Sequence, residues 1–252
     1  MSKALRVEGI TKSFGSLKAL DDVTLDVEDR SITILIGPNG SGKTTIINVV
    51  SGFYGPDRGK VTLREKDITG LSPHEIYAMG LVRTFQIPSV FGKLTALENL
   101  LVARKGNPGE SFTKSLIRSR WERDEREGVE KAVSVLEILG IGKSWDTLAS
   151  NLSGGQMKLL EIGRALMSDS SLILLDEPIS GINPTLAHEI FNKLVQLRDE
   201  RGLTFFIVEH RLDIALRYVD SAVAMAYGSV VANGTPQDVM KDPRVVEAYL
   251  GA

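Results

Sequence analysis

The sequence contains no cysteine, which excludes disulfides, thiolate nucleophiles and every zinc or iron–sulfur site that needs sulfur ligands. That composition is compatible with a reducing cytosol. Long apolar stretches are also missing. The longest aliphatic or aromatic run, Ala222 to Tyr227, falls far short of the roughly 18 residues of a membrane helix, and the opening MSKALRVEGI has no apolar stretch of signal-peptide length. The chain is expected neither to cross nor to enter a membrane, so any work there requires docking onto another protein. Neither sign of charge dominates. Thirty Lys and Arg against 32 Asp and Glu leave a net charge of -2, without the broad positive field of a protein that grips nucleic acid over its whole surface. There is no internal repeat and no low-complexity linker.

What is present is an ordinary globular composition, 42% hydrophobic and 25% charged in 252 residues, enough for one or two domains at about 150 residues each. Early segments alternate apolar and polar positions (Leu5, Val7; Val23, Leu25, Val27), as half-buried strands of an antiparallel sheet do. Later apolar runs, Ile32 to Ile36, Leu81 to Phe85, Leu172 to Leu175 and Leu203 to Val208, are short and separated by helical stretches, the pattern of parallel strands buried on both faces. Ser72-Pro73-His74-Glu75 and Thr95-Ala96-Leu97-Glu98 match capping boxes, the first with proline at the first helical position and Gly80 to end its helix. Between Gln86 and Ser153 helix-formers dominate, with a mixed-sign charged run from Arg118 to Glu130 that reads as a solvated helix face. We expect one domain over residues 1–252, with a helical subdomain at approximately 87–160 inserted in an α/β core.

Gly37-Pro38-Asn39-Gly40-Ser41-Gly42-Lys43-Thr44 follows Ile36 and fits the phosphate-loop pattern between a buried strand and a helix. Its glycines let backbone N–H groups face phosphates, Lys43 would reach the β/γ oxygens, and the Thr44 hydroxyl would hold Mg²⁺, with Thr45 next to it in the binding set. Downstream, Leu172 to Leu175 ends in Asp176-Glu177, two carboxylates at the carboxyl end of a buried strand, where ligands of open α/β sheets bind. Asp176 suits the Mg²⁺ shell, and Glu177 is placed to accept a proton from, or polarise, an attacking water. Before that strand stands Leu152-Ser153-Gly154-Gly155-Gln156, where Ser153 can start a helix whose N-terminus attracts an anion.

Phosphate loop, LSGGQ and LILLDE, in this order and spacing, resemble the nucleotide-binding subunits of ATP-binding cassette (ABC) transporters over essentially the whole chain. The resemblance implies a P-loop NTPase core with a mainly parallel sheet, an N-terminal antiparallel β subdomain and a helical insertion, hydrolysing ATP with Mg²⁺. It further implies that Phe14 stacks on adenine, in place of the commoner tyrosine. Gln86 would link the Mg²⁺ and water site to a membrane partner, and His210 would contact the γ-phosphate. Ser153, Gly154, Gly155 and Gln156 would complete the ATP site of a second ATPase subunit, identical or different. Asn183, in Ser180-Gly181-Ile182-Asn183, departs from the family's aspartate. His74 and His188 gain no such role and are expected at the surface. Permease subunits would be the partners, with a periplasmic or extracellular substrate-binding protein acting indirectly and no nucleic acid, at the cytoplasmic face of the membrane. The stretches Val82 to Gln86, Gln156 to Met167, Glu209 to Asp213 and Asp242 to Gly251 look most like importers of branched-chain amino acids. Urea importers and the lipopolysaccharide exporter share parts of the tail. A soluble ABC ATPase acting on nucleic acid, a P-loop kinase or GTPase, and an inactive subunit are the competing classes.

Overall fold

A computed structural model of the chain describes residues 2–84, 90–105 and 118–250. In chain order its elements are β1 (Lys3–Phe14), β2 (Leu17–Glu28), β3 (Ile32–Ile36), α1 (Lys43–Val50), β4 (Arg58–Leu63), β5 (Lys66–Asp67), α2 (Pro73–Ala78) and β6 (Leu81–Arg83). Then come α3 (Ala96–Val102), α4 (Arg118–Ile138) and α5 (Gly154–Met167). The chain continues through β7 (Leu172–Asp176), α6 (Pro184–Arg201), β8 (Thr204–Val208), α7 (Leu212–Ala215), β9 (Ser221–Ala226), β10 (Ser229–Gly234), α8 (Pro236–Lys241) and α9 (Pro243–Leu250). Contacts divide it into two compact units, Met1–Gln86 with Ser171–Ala252, and Ile87–Ser170.

The first unit holds two sheets. One is four-stranded with the order β2-β1-β4-β5, antiparallel throughout. Its alternation is the one the sequence displays, since Leu5, Val7, Val23, Leu25 and Val27 are buried. The other is six-stranded, β10-β9-β3-β8-β7-β6, and its ladders are parallel from β9 through β6. β3 and β8 are buried at every residue, as continuous apolar runs in a sheet covered on both faces must be. The run from Ala222 supplies β9, a strand that sequence reasoning treated only as too short for a membrane, and Tyr227-Gly228 turns it into antiparallel β10.

The second unit is helical. α3 opens on a capping box in which the Thr95 N–H donates to Glu98 Oε2 (2.7 Å) and the Glu98 N–H to the Thr95 hydroxyl (3.2 Å). α5 opens in the same way, with the Ser153 N–H donating to Gln156 Oε1 at 3.0 Å and the Gln156 N–H to Ser153 Oγ at 3.3 Å. Its Gly163 is pressed by Leu100 and Leu139, each 3.0 Å from where a Cβ would stand, so three helices meet at a point with no room for a side chain.

Candidate active site

Parallel strands place their carboxyl ends on one edge of the sheet. Leu35 and Asp176 both pair with Val208, so the loops after β3, β7 and β8 emerge side by side. A cleft of about 430 Å³ opens there. It is lined by Asn39, Gly40, Ser41, Gly42, Lys43, Thr44 and Thr45, by Asp176, Glu177, Val208 and His210, and by Leu17, Lys18, Ala19, Tyr227 and Gly228. All of these belong to the first unit.

The loop after β3 needs its glycines. Gly37 has φ +151°, and a Cβ there would lie 2.2 Å from the Met225 carbonyl oxygen; Gly42 has φ +100°, with Ala19 O at 2.9 Å. Only a residue without a Cβ tolerates both the conformation and the approach. No side chain caps the start of α1, which leaves first-turn N–H groups available to an anion. Ser41 is 2% exposed, and its buried Oγ has no hydrogen-bond partner, an arrangement that suits a loop awaiting phosphate oxygens. Lys43 Nζ donates to Gly37 O (2.7 Å) and Pro38 O (2.9 Å). Burial lowers the Lys43 pKa, while the charges of Glu177 and Asp176 act the other way.

On the acidic side, Asp176 Oδ2 accepts from Arg83 Nη2 at 2.9 Å. Arg83 also donates to Asn48 Oδ1 (2.6 Å) and Ser51 Oγ (3.2 Å) on and just after α1. Thr44 and Asp176 line one cleft. This oxygen-only set fits Mg²⁺, which takes one or two protein oxygens and fills its shell with phosphate and water. A cage made by protein alone does not exist among the described residues, where no cluster of three His, Asp or Glu could hold a metal. Glu177 sits at φ +51°, an uncommon conformation for a non-glycine residue. Its N–H donates to Val208 O (2.9 Å), and its Oε1 lies 3.2 Å from His210 Nε2. The His210 ring is therefore a direct neighbour of the carboxylate.

The remaining expected residues are placed as follows. Phe14 is 43% exposed, meets Tyr54 edge-on with ring centroids 5.2 Å apart, and is not among the residues lining the cleft; Tyr227 is. Gln86 and Phe85 lie outside the described residues. Ser153 to Gln156 belong to the second unit, where the Gln156 side chain closes the helix cap. Asn183 caps α6, its Oδ1 accepting from the Leu186 N–H at 3.0 Å, so asparagine followed by Pro184 serves first as a helix start. His74 is exposed, whereas His188 is half-buried and its Nδ1 lies 2.8 Å from the Tyr218 hydroxyl. Tyr218, just past α7, covers part of the ring of this surface residue. Sequence reasoning passed over Arg83, Glu209, Tyr227 and Tyr249. Of these, only Tyr227, an aromatic before a glycine between two apolar runs, carries a local signal.

The "ABC transporter" family model matches residues 20–180, and a "Branched-chain amino acid ATP-binding cassette transporter" model matches residues 229–252. A probable branched-chain amino acid transport ATP-binding protein LivG of Archaeoglobus fulgidus is 53% identical, over 99% of this chain and 96% of its own. The high-affinity LivG of Salmonella typhimurium is 37% identical over 98% and 97%. Among solved structures, the ADP conformation of an ATP-binding cassette of an ABC transporter superposes with a TM-score of 0.87, at 48% identity and full coverage of both chains. The chain belongs to the ABC transporter family. It is an ATP-binding cassette ATPase, a component that couples ATP hydrolysis to transport and works with permease partners. Among the described residues no helix is long and apolar enough to cross a membrane.

Proposed function

We propose that this chain is the Mg²⁺-dependent ATPase subunit of an importer of branched-chain amino acids. The observation that carries the reading is the meeting of Lys43, Thr44, Asp176, Glu177 and His210 on one cleft, joined to the full-length likeness to branched-chain amino acid transport ATPases. In this reading the loop from Gly37 to Thr45 cradles the ATP phosphates, and Lys43 leaves its carbonyls for the β/γ oxygens. Thr44 and Asp176, with Gln86 as a further ligand, would hold Mg²⁺, which would supply neutralisation of phosphate charge. Glu177 takes the proton of the attacking water, and His210 holds the γ-phosphate and orients Glu177.

Ser153 to Gln156 complete the site of a second ATPase subunit, so two ATP molecules are sandwiched head to tail. Binding closes the pair and hydrolysis opens it. The helical unit at 87–170, inserted in the nucleotide-binding core, carries that motion to the permease on the cytoplasmic face of the membrane. A substrate-binding protein on the other side delivers the amino acid.

Sizing the purified Glu177→Gln chain with and without Mg-ATP tests this. ATP-dependent doubling of mass supports the sandwich and shows that self-pairing is possible. A chain that binds ATP yet stays monomeric points to a different ATPase as its partner, and absence of ATP binding overturns the reading.

A further inference from the structure

Glu209 lies between the strand β8 and His210, and it is 2% exposed. A buried carboxylate is costly unless its oxygens are satisfied, and here they are satisfied by main chain alone. Oε1 accepts the Ile179 N–H at 2.9 Å. Oε2 accepts the His210 N–H at 2.8 Å and the Arg211 N–H at 3.1 Å. One side chain thus joins two loops, the one that follows Glu177 and the one that carries His210. A second tie runs parallel to it, since Arg211 Nη1 donates to Ile182 O at 2.7 Å. The far end of the first loop is pinned by Asn183 at the start of α6.

We infer that Glu209 is a positioning residue for ATP hydrolysis. It fuses residues 177–183 and His210 into one piece, so that the 3.2 Å approach of His210 Nε2 to Glu177 Oε1 is kept and a displacement of either loop moves the other. The inference rests on the proposed roles of Glu177 and His210. Glu209 does not line the cleft and acts only through those two residues. The chemistry demands a carboxylate: all three partners are N–H donors, and a glutamine amide would turn an NH₂ group toward at least one of them.

The test compares full-length wild type, Glu209→Gln, Glu209→Ala, His210→Ala, Glu177→Gln and the double variant Glu177→Gln/Glu209→Ala. For each we would measure ATP affinity, kcat and melting temperature. A misplacement of about 1 Å costs about 10²-fold in rate. The expected result is a fall in kcat of about tenfold to 10²-fold in Glu209→Gln, with a clearly smaller loss of ATP affinity, because the phosphate loop is untouched and only the His210 contact to the γ-phosphate is disturbed. In the double variant the Glu209 change costs little beyond Glu177→Gln alone, since the base it positions is already gone. Wild-type kcat in a folded Glu209→Gln overturns the inference. So do equal losses of affinity and kcat, or losses that multiply fully in the double variant, because a brace acting on the fold alone gives those. If Glu209→Ala fails to fold, the isosteric Gln variant decides. Full turnover in Glu177→Gln and His210→Ala would instead remove the functional reading on which the inference stands.

Discussion

Arg83 Nη2 lies 2.9 Å from Asp176 Oδ2, joining the end of β6 to the carboxylate at the end of β7. The Arg83 side chain is 8% exposed and that of Asp176 16%. Removing one partner of such a pair leaves a charge uncompensated in low dielectric, a cost of about 3–5 kcal/mol when burial is complete. Because Asp176 lines the cleft and also feels the Lys43 charge, Arg83→Met, which removes the bonds to Asn48 and Ser51 as well, is expected at the lower end, about 3 kcal/mol, read as a lower urea midpoint at unchanged m. An unchanged midpoint would show that the pair contributes nothing to the fold.

A second long-range tie reaches the phosphate loop from the C-terminal helix. The Gly37 N–H donates to the Tyr249 hydroxyl at 2.9 Å, and burial raises the phenol's pKa, so it stays protonated at neutral pH. Tyr249→Phe removes the acceptor and keeps the ring. A hydrogen bond of about 1 kcal/mol implies roughly fivefold faster hydrogen exchange at the Gly37 amide. Exchange at the wild-type rate would mean that the bond is absent in solution.

The start of that helix is sensitive to acid. The Asp242 carboxylate accepts from the Arg244 guanidinium at 2.7 Å and from the Arg244 N–H at 2.9 Å, and this holds its pKa at about 2 instead of the ordinary 3.8. The folded value lies below the unfolded one, so the contribution to stability is complete above 3.8 and is lost as pH falls through about 2. An NMR titration of the Arg244 amide should give a midpoint near 2. A midpoint at 3.8 would mean that the pair does not form.

Features written in a few consecutive residues were legible in the sequence. The loop from Gly37 to Thr44, the box at Thr95, the helix start at Ser153, and the runs that became β3, β7 and β8 depend on neighbours within one turn or one strand. The two ends of the Arg83–Asp176 pair are 93 residues apart, those of the Glu209–Ile179 bond 30 and those of the Tyr249–Gly37 bond 212. None has a spacing rule, because the sheet order brings them together. Asn183 shows the opposite case. It departs from the family's aspartate, and the capping rule for asparagine before proline accounts for its place at the start of α6.

In the proposed mechanism ATP binds in the cleft beside Glu177 and this carboxylate drives hydrolysis. The most direct measurement is ATP binding and steady-state turnover of the Glu177→Gln chain beside wild type. We expect unchanged binding with turnover lower by about 10²- to 10⁴-fold, the loss typical of a general base. Full turnover in the variant would contradict the claim.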